Sequence, residues 1–247
     1  MPAADPYPPI GDYALIGDCH SVALVSRHGS IDWCCMPRFD SGSSFGRLLD
    51  WEKGGYCSIE PTRRGAAPLR SYLDGTLVLA TTFRRAGGEA VLYDCFTMRR
   101  GGAGNPRRQL LRIVEGKQGR VELRLRIGAR FDYGGVRPWI RHHGPRHYSA
   151  IGGDDALVIW SDTELVPHDD RGLEAVFSVR PGERVRLSLV WIEPELAERP
   201  HRELRVSDPA EAVVPVAPGP DRLGKRRGRG GGDGARRGVG EGLDDDG

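Results

Sequence analysis

From Tyr13 to Trp191 the chain alternates short apolar runs with turn residues, the pattern of a sandwich or barrel built from many strands. Runs rich in β-branched and aromatic residues predict strands over residues 21–25, 30–36, 55–59, 76–83, 89–96, 110–115, 121–127, 146–151, 156–160, 173–179 and 185–191. The clearest places Val121, Leu123, Leu125 and Ile127 on one face and Glu122, Arg124 and Arg126 on the other. One face is then buried and the other meets water. The Gly87-Gly88 pair predicts a hairpin, because glycine accepts the positive φ of tight turns, and residues 116–119 and 180–183 read as further turns. Residues 44–51, with Phe45, Leu48 and Leu49 at helical spacing and Ser43 or Ser44 as cap, predict one short helix. The fold class that follows is all-β, a sandwich of antiparallel strands.

The two ends differ from this body. Residues 1–9 are Pro-rich and predict a flexible N-terminus without the basic start and apolar run of a signal peptide. No segment approaches the roughly 20 apolar residues of a membrane-crossing helix. Ser207-Asp208-Pro209 has the form of a helix start, and Glu211 and Ala212 extend it, but Pro215 would break it. Residues 213–247 are rich in Gly and Arg and predict a disordered tail. Residues 10–212 remain as one domain.

Composition narrows the function. Hydrophobic residues make up 38% and charged residues 28%, and 36 basic residues nearly cancel 34 acidic ones to leave +2. So balanced a molecule has no overall field to draw it to nucleic acid. The Gly/Arg stretch at 224–232 is similar to RNA-binding segments, but it lacks interleaved aromatic residues and is offset by Asp244, Asp245 and Asp246. Five cysteines, an odd number without framework spacing, predict reduced thiols and a cytoplasmic location. Adjacent Cys34 and Cys35 should face opposite sides of a strand, one in the core and one near the surface. His142, His143 and His147 sit among Arg137, Arg141 and Arg146, whose charge opposes a cation, and no matching cysteines accompany them. Neither a metal nor another cofactor is expected.

Asp12, Asp18, Asp32 and Asp40 lie close in sequence to Trp33 and Phe39, and carboxylates beside aromatic rings build many sugar sites. Aspartate next to Gly and Ser also serves turns, where its side chain accepts backbone N–H bonds. Both readings stand. Most of the five tryptophans should pack in the core, with Trp33 and Trp139, which border loops, as exceptions.

The segment IGDYALIGDCHSVALVSRHGSIDWCCMPRFDSGSSFGRLLD, residues 10–50, is followed in order by Gly54-Gly55, residues 70–79, Tyr93-Asp94, residues 111–114 and residues 130–134. This succession resembles the trehalase-like amino-terminal domain of bacterial glycoside hydrolase family 15, over about residues 10–212. The resemblance implies a super-β-sandwich joined to an (α/α)6 barrel, in glucoamylases, trehalases and related enzymes of carbohydrate metabolism. It also implies two barrel glutamates as general acid and general base, as inverting hydrolysis requires. No motif carrying those glutamates occurs here, so the expectation is a hydrolase domain truncated before its barrel and inactive alone. Loss of the resemblance near Val213, with a tail whose codons are rich in G and C, suggests a frameshift. Asp32, Trp33, Arg38, Phe39 and Asp40 are the candidates for contact with the barrel or with an α-glucan or trehalose. The alternative is a stand-alone carbohydrate-binding or interaction module.

Overall fold

The computed structural model describes residues 7–98, 104–168 and 172–197. The expected tail over 213–247, the helix start at Ser207 and most of the N-terminal segment lie outside the described residues. Within them the chain forms two antiparallel sheets packed face to face.

The first sheet contains β1 (Tyr13–Gly17), β2 (Val22–Ser26), β3 (Ser30–Cys35), β5 (Tyr56–Pro61), β10 (Val121–Gly128), β15 (Gly172–Val179) and β14 (Val166–His168), in that spatial order. The three-residue β4 (Ser43–Phe45) pairs with β3 beside it. The second sheet runs β11 (Trp139–Gly144), β12 (His147–Gly152), β13 (Asp155–Ser161), β16 (Arg184–Ile192), β9 (Gln109–Gly119), β8 (Gly88–Phe96), β7 (Leu79–Arg85) and β6 (Leu69–Tyr72). All eleven expected strands are present.

The alternation read from the sequence is the one observed. Val121, Leu123, Leu125 and Ile127 point into the main core with Leu173, Ala175 and Val179 of β15, while Arg126 turns outward to Glu174 at 2.6 Å. From the second sheet Leu92, Leu110, Val114, Leu157, Leu187 and Leu189 meet them. Each large side chain so buried contributes on the order of 1.5–3 kcal/mol.

One polar pair sits inside this core. Arg112 of β9 lies between Leu110 and Val114 on the inward face and is fully buried. It donates to Asp94 at 2.7 Å, and across the layer gap to the Cys57 and Gly29 carbonyls, each at 2.6 Å. Buried charge is costly unless paired and hydrogen-bonded, and Arg112 is both. It ties the two sheets together at one point.

Several expectations need correction. Residues 44–51 are not a helix: Phe45 is drawn into the core on β4, opposite Cys34, whereas Leu49 is exposed. The backbone there pairs across a loop, Gly46 N–H to the Gly54 carbonyl and Arg47 N–H to the Gly55 carbonyl. The Asp50 carboxylate accepts the N–H groups of Glu52 and Lys53 and so closes the turn. Among the described residues the helical turns are short 3-10 segments, Ile10–Asp12, Asp132–Gly134 and Pro194–Leu196, and no helix is long and apolar enough to cross a membrane. The turn expected over 116–119 shrinks to Gly119 and Arg120, because β9 continues through it; Gly119 has φ 58°. Cys34 and Cys35 are both buried, and β4 pairs beside them with Ser43 opposite Cys35. All five thiols are free.

Candidate functional site

The site grows from an irregularity in β3. Leu24 of β2 opposes Trp33, and Val25 opposes Ile31, so Asp32 is an extra residue in the ladder. Such a bulge re-aims the side chains beside it. Ile31 and Cys34 remain in the core, and Asp32 and Trp33 both turn to the outer face of the first sheet.

Asp32 is nevertheless only 1% exposed. Its carboxylate accepts hydrogen bonds from Tyr13 Oη at 2.8 Å and Ser30 Oγ at 2.6 Å, and Arg47 Nη1 lies 3.6 Å away. The Tyr13 hydroxyl is held protonated, raised by burial first and then by the Asp32 carboxylate. The Arg47 guanidinium stacks on Tyr56 at 3.6 Å and on Trp51 at 4.3 Å, an arrangement favoured by the negative face of each ring. Asp32 therefore orients this network and does not present itself to a ligand.

Trp33, half-buried, lies beside Tyr133, ring centres 6.0 Å apart. Tyr133 follows Asp132 in a loop where both residues have positive φ, 48° and 56°. Two successive non-glycine residues in that region are unusual and strained. The loop is fixed by Tyr133 N–H to Ser43 Oγ at 3.0 Å, and it leaves the Tyr133 ring 46% exposed. Phe39, held by its N–H to the His20 carbonyl at 2.6 Å, is 63% exposed. Arg38 and Asp40 flank it and bind each other in a two-point pair at 2.8 and 3.1 Å. Trp139, at the start of β11, is 76% exposed.

Of the five residues singled out in the sequence, Trp33, Arg38, Phe39 and Asp40 reach the surface and Asp32 supports from beneath. The other two aspartates serve structure: Asp18 Oδ1 accepts the N–H groups of His20 and Ser21, and Asp12 pairs with Arg27. Sequence reasoning missed Tyr13, Ser30, Arg47 and Tyr133. Tyr133 had a signal, since its stretch at 130–134 recurs in the family pattern. The histidines split between partners, His143 stacking near His147 and contacting Ser149 Oγ at 2.8 Å, and His142 lying on Tyr148. Among the described residues no three His, Cys, Asp or Glu side chains come together as a metal site would need.

Two antiparallel sheets packed face to face, with aromatic loops and a buried carboxylate beneath them, define an all-β sandwich domain. The family is specific: residues 3–163 match the model for "trehalase-like, N-terminal", and the chain belongs to that family. It is 33% identical over 161 residues to a trehalase of Mycolicibacterium smegmatis, covering 60% of this chain and 24% of that protein. A trehalase of Mycobacterium tuberculosis is 33% identical over 146 residues, 53% of this chain and 21% of that protein. Trehalase 1 of Sulfolobus acidocaldarius is 36% identical over 127 residues, 51% and 20% respectively. The matched region thus spans about a quarter or less of the curated relatives.

Proposed function

We propose that this chain is the non-catalytic β-sandwich module of a glycoside hydrolase family 15 enzyme of the glucoamylase and trehalase type, working in carbohydrate metabolism against an (α/α)6 barrel that carries the catalytic glutamates. The observation that supports this most is the exposure of the Phe39 and Tyr133 rings on fixed loops, with half-buried Trp33 beside Tyr133, in a chain that matches a trehalase-like N-terminal family. Rigid aromatic side chains on a desolvated patch are the usual anchors of protein interfaces. Asp32, Arg38 and Asp40 set the loop geometry around them. Five cysteines without a disulfide favour a cytoplasmic enzyme.

The test is association with a separately expressed family-type barrel, measured by calorimetry. Phe39→Ala and Tyr133→Ala are expected to weaken binding by about tenfold or more each, with circular dichroism unchanged. No association, or association indifferent to both changes, would remove this reading. The exposure of Trp139 and Phe39 favours a second reading, a stand-alone carbohydrate-binding module. Retardation of the purified chain in gels containing starch or glycogen, or a calorimetric signal with trehalose, would support it.

A further inference from the structure

Several arginines of the described residues are held by a carboxylate. Arg27 meets Asp12, Arg47 meets Asp32, Arg84 meets Glu89, Arg112 meets Asp94, Arg126 meets Glu174 and Arg186 meets Asp162. One region gathers arginines that lack such a partner. Beyond the end of β5 two adjoining cavities of about 540 and 460 Å3 share Pro61, Thr62, Arg63, Arg64 and Arg85, and form one elongated groove. It extends from Arg124 at one end to Arg120 at the other. Five arginines face two glutamates, Glu60 and Glu122.

These cations are poorly compensated. Arg63, Arg64 and Arg120 are exposed and have no side-chain partner among the described residues. Arg85 donates to the carbonyls of Arg63, Ala66 and Arg84, and partial burial pulls its pKa down with no carboxylate to restore it. Arg124 Nε is buried without a hydrogen-bond partner; its nearest acid, Glu174 at 3.8 Å, is held more closely by Arg126. The loop is built against this cluster: a Cβ at Gly65 would come within 2.6 Å of the Arg85 side chain.

We propose that this groove is a binding site for a short linear phosphoryl anion of the pyrophosphate or tripolyphosphate type. Guanidinium forks match phosphoryl oxygens two at a time, and the row from Arg124 to Arg120 exceeds what one phosphate can touch. An acidic peptide also needs backbone partners, but the walls have spent theirs. Thr62 N–H is bonded to the Glu122 carbonyl, Arg120 N–H to the Gly87 carbonyl, and Arg85 occupies the carbonyls of the 63–66 loop. Single-stranded nucleic acid calls for a row of exposed rings on which bases stack; in this lining Phe83 is buried, and exposed His28 makes no such row. The local concentration of charge stands in a molecule whose total is near neutral, which is why sequence composition did not reveal it. The proposal does not depend on the barrel reading.

The full chain is titrated by calorimetry at low ionic strength with tripolyphosphate, inorganic phosphate, a short oligoglutamate and a short single-stranded oligonucleotide. Tripolyphosphate is expected to bind at one site, at least about tenfold tighter than the other three, and to weaken as salt screens the charges. Arg63→Gln combined with Arg64→Gln should cost about tenfold or more, the loss of one or two charge-assisted contacts, with the melting temperature unchanged. Arg120→Gln, at the far end and fully outside the core, repeats the reading if the double variant alters the melt. No binding of tripolyphosphate, equal binding of single phosphate, tighter binding of the peptide or oligonucleotide, or affinity untouched by the arginine variants would each overturn the site.

Discussion

The outward faces of the two sheets differ sharply. On the first sheet, Arg124 and Arg126 of β10 stand beside Glu174 and Val176 of β15 and Glu60 of β5, an open ladder of charges. On the second, Leu111 and Ile113 of β9 join Val78, Cys95 and Tyr93 in a small second core, and Val158 and Val190 are buried as well. Even the polar residues there satisfy one another: Thr97 Oγ1 donates to Gln109 Oε1 at 2.9 Å, and Gln109 Nε2 to Ser188 Oγ at 2.7 Å. A two-layer sandwich needs one apolar face per sheet. The second sheet has two, so stability concentrates there, and the outer wall of the first sheet is free to carry charge.

The largest test of that division lies between the layers. Arg112→Met should lower stability by about 3–5 kcal/mol, because Asp94 is left buried and unpaired, together with the two carbonyls that Arg112 served; urea unfolding followed by tryptophan fluorescence reads it. The outer faces are compared next. Leu111→Ala on the second sheet should cost about 2–5 kcal/mol, whereas Val176→Ala on the first should stay within about 0.5 kcal/mol. Equal losses would erase the distinction between the faces. Smallest is the charge ladder, where Glu174→Gln should cost about 0.2–1 kcal/mol. The Arg126 guanidinium lowers the Glu174 carboxyl below its ordinary 4.5. Its stabilisation is therefore complete above that ordinary value and disappears as pH falls through the lower, folded one. In a urea series from pH 6 downward, wild type should converge on the Glu174→Gln variant.

The strands that sequence reasoning found and those it missed divide by place in the sheet. β1 and β14 are the two edges of the first sheet, β11 and β6 those of the second, and β4 lies off the main path; all five escaped notice. An edge strand needs no continuous buried face: β6 and β11 are mostly exposed, and β14 contains Pro167, which an edge tolerates. Interior strands such as β10 alternate because both neighbours and the opposite sheet enforce it. The helix expected over 44–51 failed for a related reason, since Phe45 answers to the core and Leu48 and Leu49 to the turn. At the candidate site, Phe39 and the paired Arg38 and Asp40 were legible as loop residues, and Trp33 as a strand ring bordering that loop. Burial of Asp32 was not, because it depends on Tyr13 and Arg47, which only the bulge in β3 brings to it.

The Arg112 clamp also bears on how the chain reaches its fold. The hydrogen bond from Arg112 to the Gly29 carbonyl joins residues 83 apart, and that to Cys57 joins residues 55 apart. The ladder of β16 with β13 and β9, and that of β10 with β15 and β5, also close long loops. Topologies dominated by such distant pairings fold slowly, since chain entropy must be lost before contacts repay it. Until β9 is made, the Gly29 carbonyl in the turn between β2 and β3 and the Cys57 carbonyl of β5 lack the guanidinium that donates to them. Ribosome-bound chains halted before Arg112 should therefore remain protease-sensitive throughout, and protection should arrive in a single late step rather than sheet by sheet.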